Sequence, residues 1–93
     1  MSTFAKALSP ALREIRILCS QSGSASEGTR QFIKSSYSVL KQHNPDLPVM
    51  IREAQGTPAR VFARFEKGVE KHVEVDNLSS KDVESKVAQL LSV

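Results

Sequence analysis

The spacing of apolar residues along the chain switches between two and about three and a half, and the switches mark out alternating strands and helices. In Leu12-Arg13-Glu14-Ile15-Arg16-Ile17-Leu18-Cys19, the residues Ile15, Ile17 and Cys19 alternate with Arg16 and Leu18, which predicts a strand with two unlike faces. A Ser/Gly run follows, a loop by composition, in which Ser24 and Ser26 are the residues able to cap a helix. Phe32, Ile33, Tyr37 and Leu40 recur at helical spacing, so Glu27 to about Gln42 reads as an amphipathic helix. Asn44-Pro45-Asp46-Leu47-Pro48 ends it, because neither proline continues the hydrogen-bond ladder.

Period two returns at Val49–Ala54, Ala59–Phe65 and Val69–Val75. The helix between the first two strands implies a right-handed crossover and parallel pairing. Glu66-Lys67-Gly68 joins the last two as a hairpin, with Gly68 supplying the left-handed position. Charge predicts the hairpin register. With Phe65 opposite Val69, Arg64 faces Glu70, Phe62 faces His72, Arg60 faces Glu74 and Val61 faces Val73. Ser79, three residues before Asp82, has the spacing of a capping box, and Val83, Val87, Leu90 and Leu91 form the stripe of a closing helix. The expected fold is therefore α/β in the order β-α-β-β-β-α, a mixed four-stranded sheet with both helices on one face. Residues 1–11 form an N-terminal segment and 12–93 the domain.

The face under the helices is expected to take Ile15, Ile17, Val49, Ile51, Val61, Ala63, Phe65, Val69, Val73 and Val75. The other face then shows Arg16, Leu18, Met50, Arg52, Arg60, Phe62, Arg64 and His72, with Glu70 and Glu74 at its edge. No third helix remains to cover it. Arginine and aromatic side chains on an uncovered face point to docking, the alternatives being that the N-terminal segment folds over it or that the arginine stems merely lie along it.

The net charge of +3 is unevenly placed: Glu14, Glu27, Asp46 and Glu53 are the acids before Arg64, whereas six acids and four lysines follow it. An acidic last third argues against nucleic acid as partner. One cysteine excludes an internal disulfide, and Cys19, His43 and His72 have no metal-ligand spacing. The sequence shows no Ser-His-Asp set, paired carboxylates or phosphate loop, and no apolar run of about 20 residues for a membrane span. It points to a reduced intracellular setting, without cofactor, metal or small-molecule substrate. Gly28 and Arg30 at the helix start could bind an anion, but close packing for Gly28 and a surface salt bridge for Arg30 are the simpler expectations. The first eleven residues carry Lys6 and no acid, compatible with a mitochondrial import signal but without its arginine-rich amphipathic character.

Beyond these patterns, one resemblance is specific. Leu12 to Ile17, Cys19, Gly28, Arg30, Phe32-Ile33, Tyr37, Leu40-Lys41, the run Asn44-Pro45-Asp46-Leu47-Pro48, Ile51-Arg52-Glu53 and Ala63-Arg64 resemble the small thioredoxin-like accessory subunit of mitochondrial NADH:ubiquinone oxidoreductase, complex I. The similarity runs from about Leu12 to Leu91. It implies a thioredoxin-like fold lacking its middle helix, with Thr57-Pro58 where that fold carries a cis-proline loop. It also implies a peripheral subunit on the matrix side of the inner membrane, supporting assembly beside other subunits of the peripheral arm, with no cofactor of its own. Members of this family can carry a second cysteine after the Ile-Arg-Glu run; here that position is Ala54, so no such thiol pair can form.

Two other functions compete. Some mitochondrial ribosomal proteins share the domain, which would make the chain a contact for ribosomal RNA. Cys19-Ser20-Gln21-Ser22 sits where a thioredoxin fold keeps Cys-x-x-Cys, so Cys19 with Thr57 and Pro58 would be the redox set of a monothiol protein. Without a resolving cysteine, Cys19 is expected to be structural, and the docking residues are expected to be Arg16, Leu18, Met50, Arg52, Arg60, Phe62 and Arg64.

Overall fold

A computed structural model of the chain describes residues 4–92. The element order is β1 (Leu12–Cys19), α1 (Glu27–His43), β2 (Val49–Glu53), β3 (Arg60–Phe65), β4 (Glu70–Glu74) and α2 (Ser80–Leu91), with 3-10 turns at Ser24–Ser26 and Glu66–Gly68. The sheet runs β2-β1-β3-β4, with β1 parallel to β2 and antiparallel to β3, and β3 antiparallel to β4. The expected β-α-β-β-β-α order and the hairpin register are both present.

Ile15, Ile17, Cys19, Val61, Ala63 and Phe65 from the sheet join Phe32 and Leu40 of α1 and Val83, Val87 and Leu91 of α2 in one buried cluster. Both helices therefore cover the same face, the one on which a right-handed β1-α1-β2 crossover places α1. A bulge between Leu12 and Glu14 sets Arg13 out of register. It turns Leu12 into the core while Glu14 stays on the opposite side, a change of parity that alternation alone does not reveal.

Two residues expected in the core lie near the surface. Ile51 is 37% exposed and Val69 is 49% exposed. Ile51 sits on an edge strand, and Val69 lies in the turn before β4, where both Lys67 and Gly68 have positive φ. The turn thus uses two left-handed residues where one was expected.

The described part of the N-terminal segment, residues 4–11, packs with the helices rather than over the open face. Phe4 is 1% exposed and meets Phe32 edge to face, with ring centroids 5.7 Å apart. Asn44 holds the segment in place. Its Oδ1 accepts from the Leu8 N–H at 2.8 Å, while its Nδ2 donates to the carbonyls of Lys6 at 3.0 Å and Leu40 at 3.1 Å. Lys41 Nζ donates to the carbonyls of Pro45 and Leu47 and closes the rest of that proline-bounded loop.

Caps follow local chemistry. Ser79 accepts from the Asp82 N–H at 3.2 Å and starts α2. Ser26 occupies the cap position of α1, but its hydroxyl accepts instead from the Ser20 N–H at 2.9 Å and so folds the loop after β1. Gly28 lies against the start of α2: a Cβ there would stand 1.9 Å from the Leu78 carbonyl oxygen.

Replacing Gly28 by alanine forces two backbones apart and is expected to destabilise the domain by about 2 kcal/mol or more, lowering Tm by roughly 10 °C. Phe4→Ala removes a buried ring and is expected to cost about 3 kcal/mol in a urea melt, where a disordered leading segment would cost nothing.

Candidate docking surface

The sheet face away from the helices is a grid set by strand register. One row holds Glu14, Arg64 and Glu70; the next holds Met50, Arg16, Phe62 and His72; the third holds Arg52, Leu18, Arg60 and Glu74. All seven residues expected to dock a partner share this face. Met50 is 44% exposed, Arg52 and Arg64 are exposed, and Arg16, Leu18, Arg60 and Phe62 are half-buried.

Glu14 is the hub of the face. Its carboxylate accepts from Arg16 Nε at 3.2 Å and Arg64 Nη2 at 3.0 Å, and Arg16 also pairs with Glu70. The cross-strand partners expected from the hairpin alone are thus exchanged. Arg64 faces Glu70 in register but pairs with Glu14 on its other side. Glu14 is the most sheltered carboxylate of the set, at 16% side-chain exposure, and an ion pair is stronger where water screens it less. Arg16 also lies over the Phe62 ring at 5.2 Å, and Phe62 stacks on His72 at 5.3 Å. Glu14 is the residue of this face that sequence reasoning passed over. Its parity with Arg16 and Leu18 was the available signal. A shallow depression of about 420 Å³ lies among Glu14, Arg16, Leu18, Met50 and Arg52.

Cys19 ends β1 on the opposite, core side and is fully buried. Burial raises its thiol pKa, the Glu53 carboxylate raises it further, and Arg30 opposes them. An activated thiolate needs the reverse balance. The register Leu18↔Arg60 brings the loop of Thr57 and Pro58 to the same end of the sheet, and the Thr57–Pro58 peptide is trans. Among the described residues Arg30 makes no salt bridge. It donates to the carbonyls of Ser20 at 3.1 Å and Gly23 at 2.9 Å, so it braces the loop after Cys19 and is not free for an anion. Gly28 serves close packing. Among the described residues no group of histidine, cysteine or carboxylate side chains is placed to hold a metal ion.

Residues 29–80 match the family described as Mitochondrial ribosomal protein L51 / S25 / CI-B8 domain. The chain belongs to this family.

Three of its relatives carry the names of NADH-ubiquinone oxidoreductase or NADH dehydrogenase [ubiquinone] subunits. The chain is 40% identical over 85 residues to the NADH-ubiquinone oxidoreductase 10.5 kDa subunit of Neurospora crassa, covering 91% of this chain and 90% of that one. It is 41% identical over 76 residues to NADH dehydrogenase [ubiquinone] 1 alpha subcomplex subunit 2 of Arabidopsis thaliana, covering 82% and 78% of the two chains. The mouse protein of the same name is 40% identical over 81 residues, covering 87% of this chain and 82% of its own. The resemblance drawn from the Asn-Pro-Asp-Leu-Pro and Ile-Arg-Glu runs is thereby borne out.

A raised thiol pKa fixes the sign of a pH effect. The native state holds the proton more tightly than the unfolded chain, so this contribution to stability is complete below about pH 8.5 and is lost as pH rises through the folded value. Urea melts of the wild type are expected to lose stability above that pH more steeply than melts of Cys19→Ala. Parallel curves would show a thiol in contact with water.

Proposed function

We propose that this chain is a non-catalytic accessory subunit of mitochondrial complex I. It sits on the matrix side of the inner membrane, in the peripheral arm, and supports assembly or stability of that arm by docking through its open sheet face. Relatives named as subunits of the same oxidoreductase, similar over most of the chain, support the setting. The observation that carries the mechanism is the face itself. Arginine, Leu, Met and Phe stand in register on the sheet, and residues 4–11, which could have covered them, pack with the helices instead.

Physically, such a face suits an interface. Phe62 and Met50 offer apolar area, Arg16 is already held over an aromatic ring, and strands hold these groups with little conformational freedom left to lose. The buried, protonated Cys19 supports a subunit that contributes shape rather than redox chemistry, with Thr57 and Pro58 as loop residues beside it. No helix among the described residues is long and apolar enough to cross a membrane, in keeping with a peripheral position. The family description also names mitochondrial ribosomal proteins, so a ribosomal role is the second reading. Glu14, Glu70 and Glu74 on the same face weigh against a phosphate backbone there.

Met50→Glu tests the docking surface without touching the core. The variant is expected to melt within about 0.5 kcal/mol of the wild type. Its incorporation into complex I, read on a native gel from cells lacking the original protein, should fall roughly tenfold, equivalent to about 1.4 kcal/mol of binding. Incorporation at the wild-type level would remove this face from the interface.

A further inference from the structure

The arginines of the open face are of two kinds. Arg16 and Arg64 are neutralised within the chain by Glu14 and Glu70. Arg52 and Arg60 are not: among the described residues neither guanidinium makes an ion pair or hydrogen bond, and the Arg60 Nε is shut off from solvent with no acceptor. Both are direct register partners of Leu18, one on each side, so their Cα atoms stand roughly 10 Å apart, two strand spacings, with an apolar side chain between them. Glu74, opposite Arg60 across the hairpin, forms no ion pair with it.

From this row we infer that the partner is a protein surface presenting two carboxylates that flank an apolar side chain, one for Arg52 and one for Arg60, with Leu18 meeting the apolar group. The inference rests on the docking reading above and names what the face recognises. A guanidinium buried at an interface without a counter-charge is strongly unfavourable, and among the described residues no carboxylate pairs with either of these two, so the partner supplies it. Planar guanidinium groups take carboxylates in two-point contact, which fixes orientation as well as charge. Nucleic acid fits less well. A phosphate at every step of a backbone would meet Glu74 and Glu70 as it reached the arginines, whereas discrete carboxylates on a folded partner can engage one and avoid the other.

The test uses the full chain, tagged and expressed in cells lacking the original protein. Arg52→Glu and Arg60→Glu should each lower incorporation into complex I at least tenfold on a native gel, while Arg13→Glu, a charge reversal away from the row, stays within threefold. In complexes carrying Arg52→Lys or Arg60→Lys, a zero-length carbodiimide should join the new lysine to an Asp or Glu of a neighbouring subunit, read by peptide mass spectrometry. Incorporation of both reversed variants within threefold of wild type would overturn the inference while leaving the chain a complex I subunit. So would lysine variants that assemble yet give no amide to a neighbour. A wild-type chain absent from complex I and sedimenting with ribosomal RNA would overturn the functional reading itself.

Discussion

Period-two alternation along β1 is the constraint on which the other elements depend. Ile15, Ile17 and Cys19 go beneath the helices, so Glu14, Arg16 and Leu18 must face away, and the neighbouring strands are read off against them. A slip of one residue would put Arg16 under α1 and Ile17 in water. β2 and β3 inherit the same two-sidedness, β2 through parallel pairing and β3 through antiparallel pairing. Val61, Ala63 and Phe65 then fall on the buried side, with Arg60, Phe62 and Arg64 on the other.

The two sides contribute differently. The buried side holds the fold, since its apolar residues are almost wholly removed from water and each such side chain contributes on the order of 1.5–3 kcal/mol. On the open side, ion pairs between partly exposed groups contribute about 0–1 kcal/mol each. Glu14 nevertheless has a consequence beyond stability. It pairs with Arg16 and Arg64, whereas among the described residues Arg52 and Arg60 of the same face pair with no carboxylate, so the four arginines are not electrostatically equivalent.

Much of this was legible in the residues because strands print their two faces directly into the chain. The hairpin register followed from placing Arg60 and Arg64 opposite acids, and the seven surface residues emerged from parity alone. What stayed hidden depends on a third strand or on single backbone contacts. Hairpin pairing could assign Arg64 only to Glu70, because Glu14 lies on a strand about fifty positions away in sequence. The bulge at Arg13 breaks the parity on which Leu12 would be placed. Arg30 looks like a surface charge until the loop of Ser20 and Gly23 curls beneath it. Phe4 gave little periodic signal, since Phe4 and Leu8 stand among small and polar residues and Pro10 cuts off any longer repeat.

Asn44 shows what one such hidden contact does. A single side-chain amide spans the first described residues of the chain and the last turn of α1, using both its acceptor and its donor to do so. Loosening residues 6–8 costs Asn44 two of its partners at the helix end, and unwinding that end releases these residues in turn. The opening of either stretch therefore costs the other a contact, and the order of the helix end extends beyond the regular elements into the chain before β1.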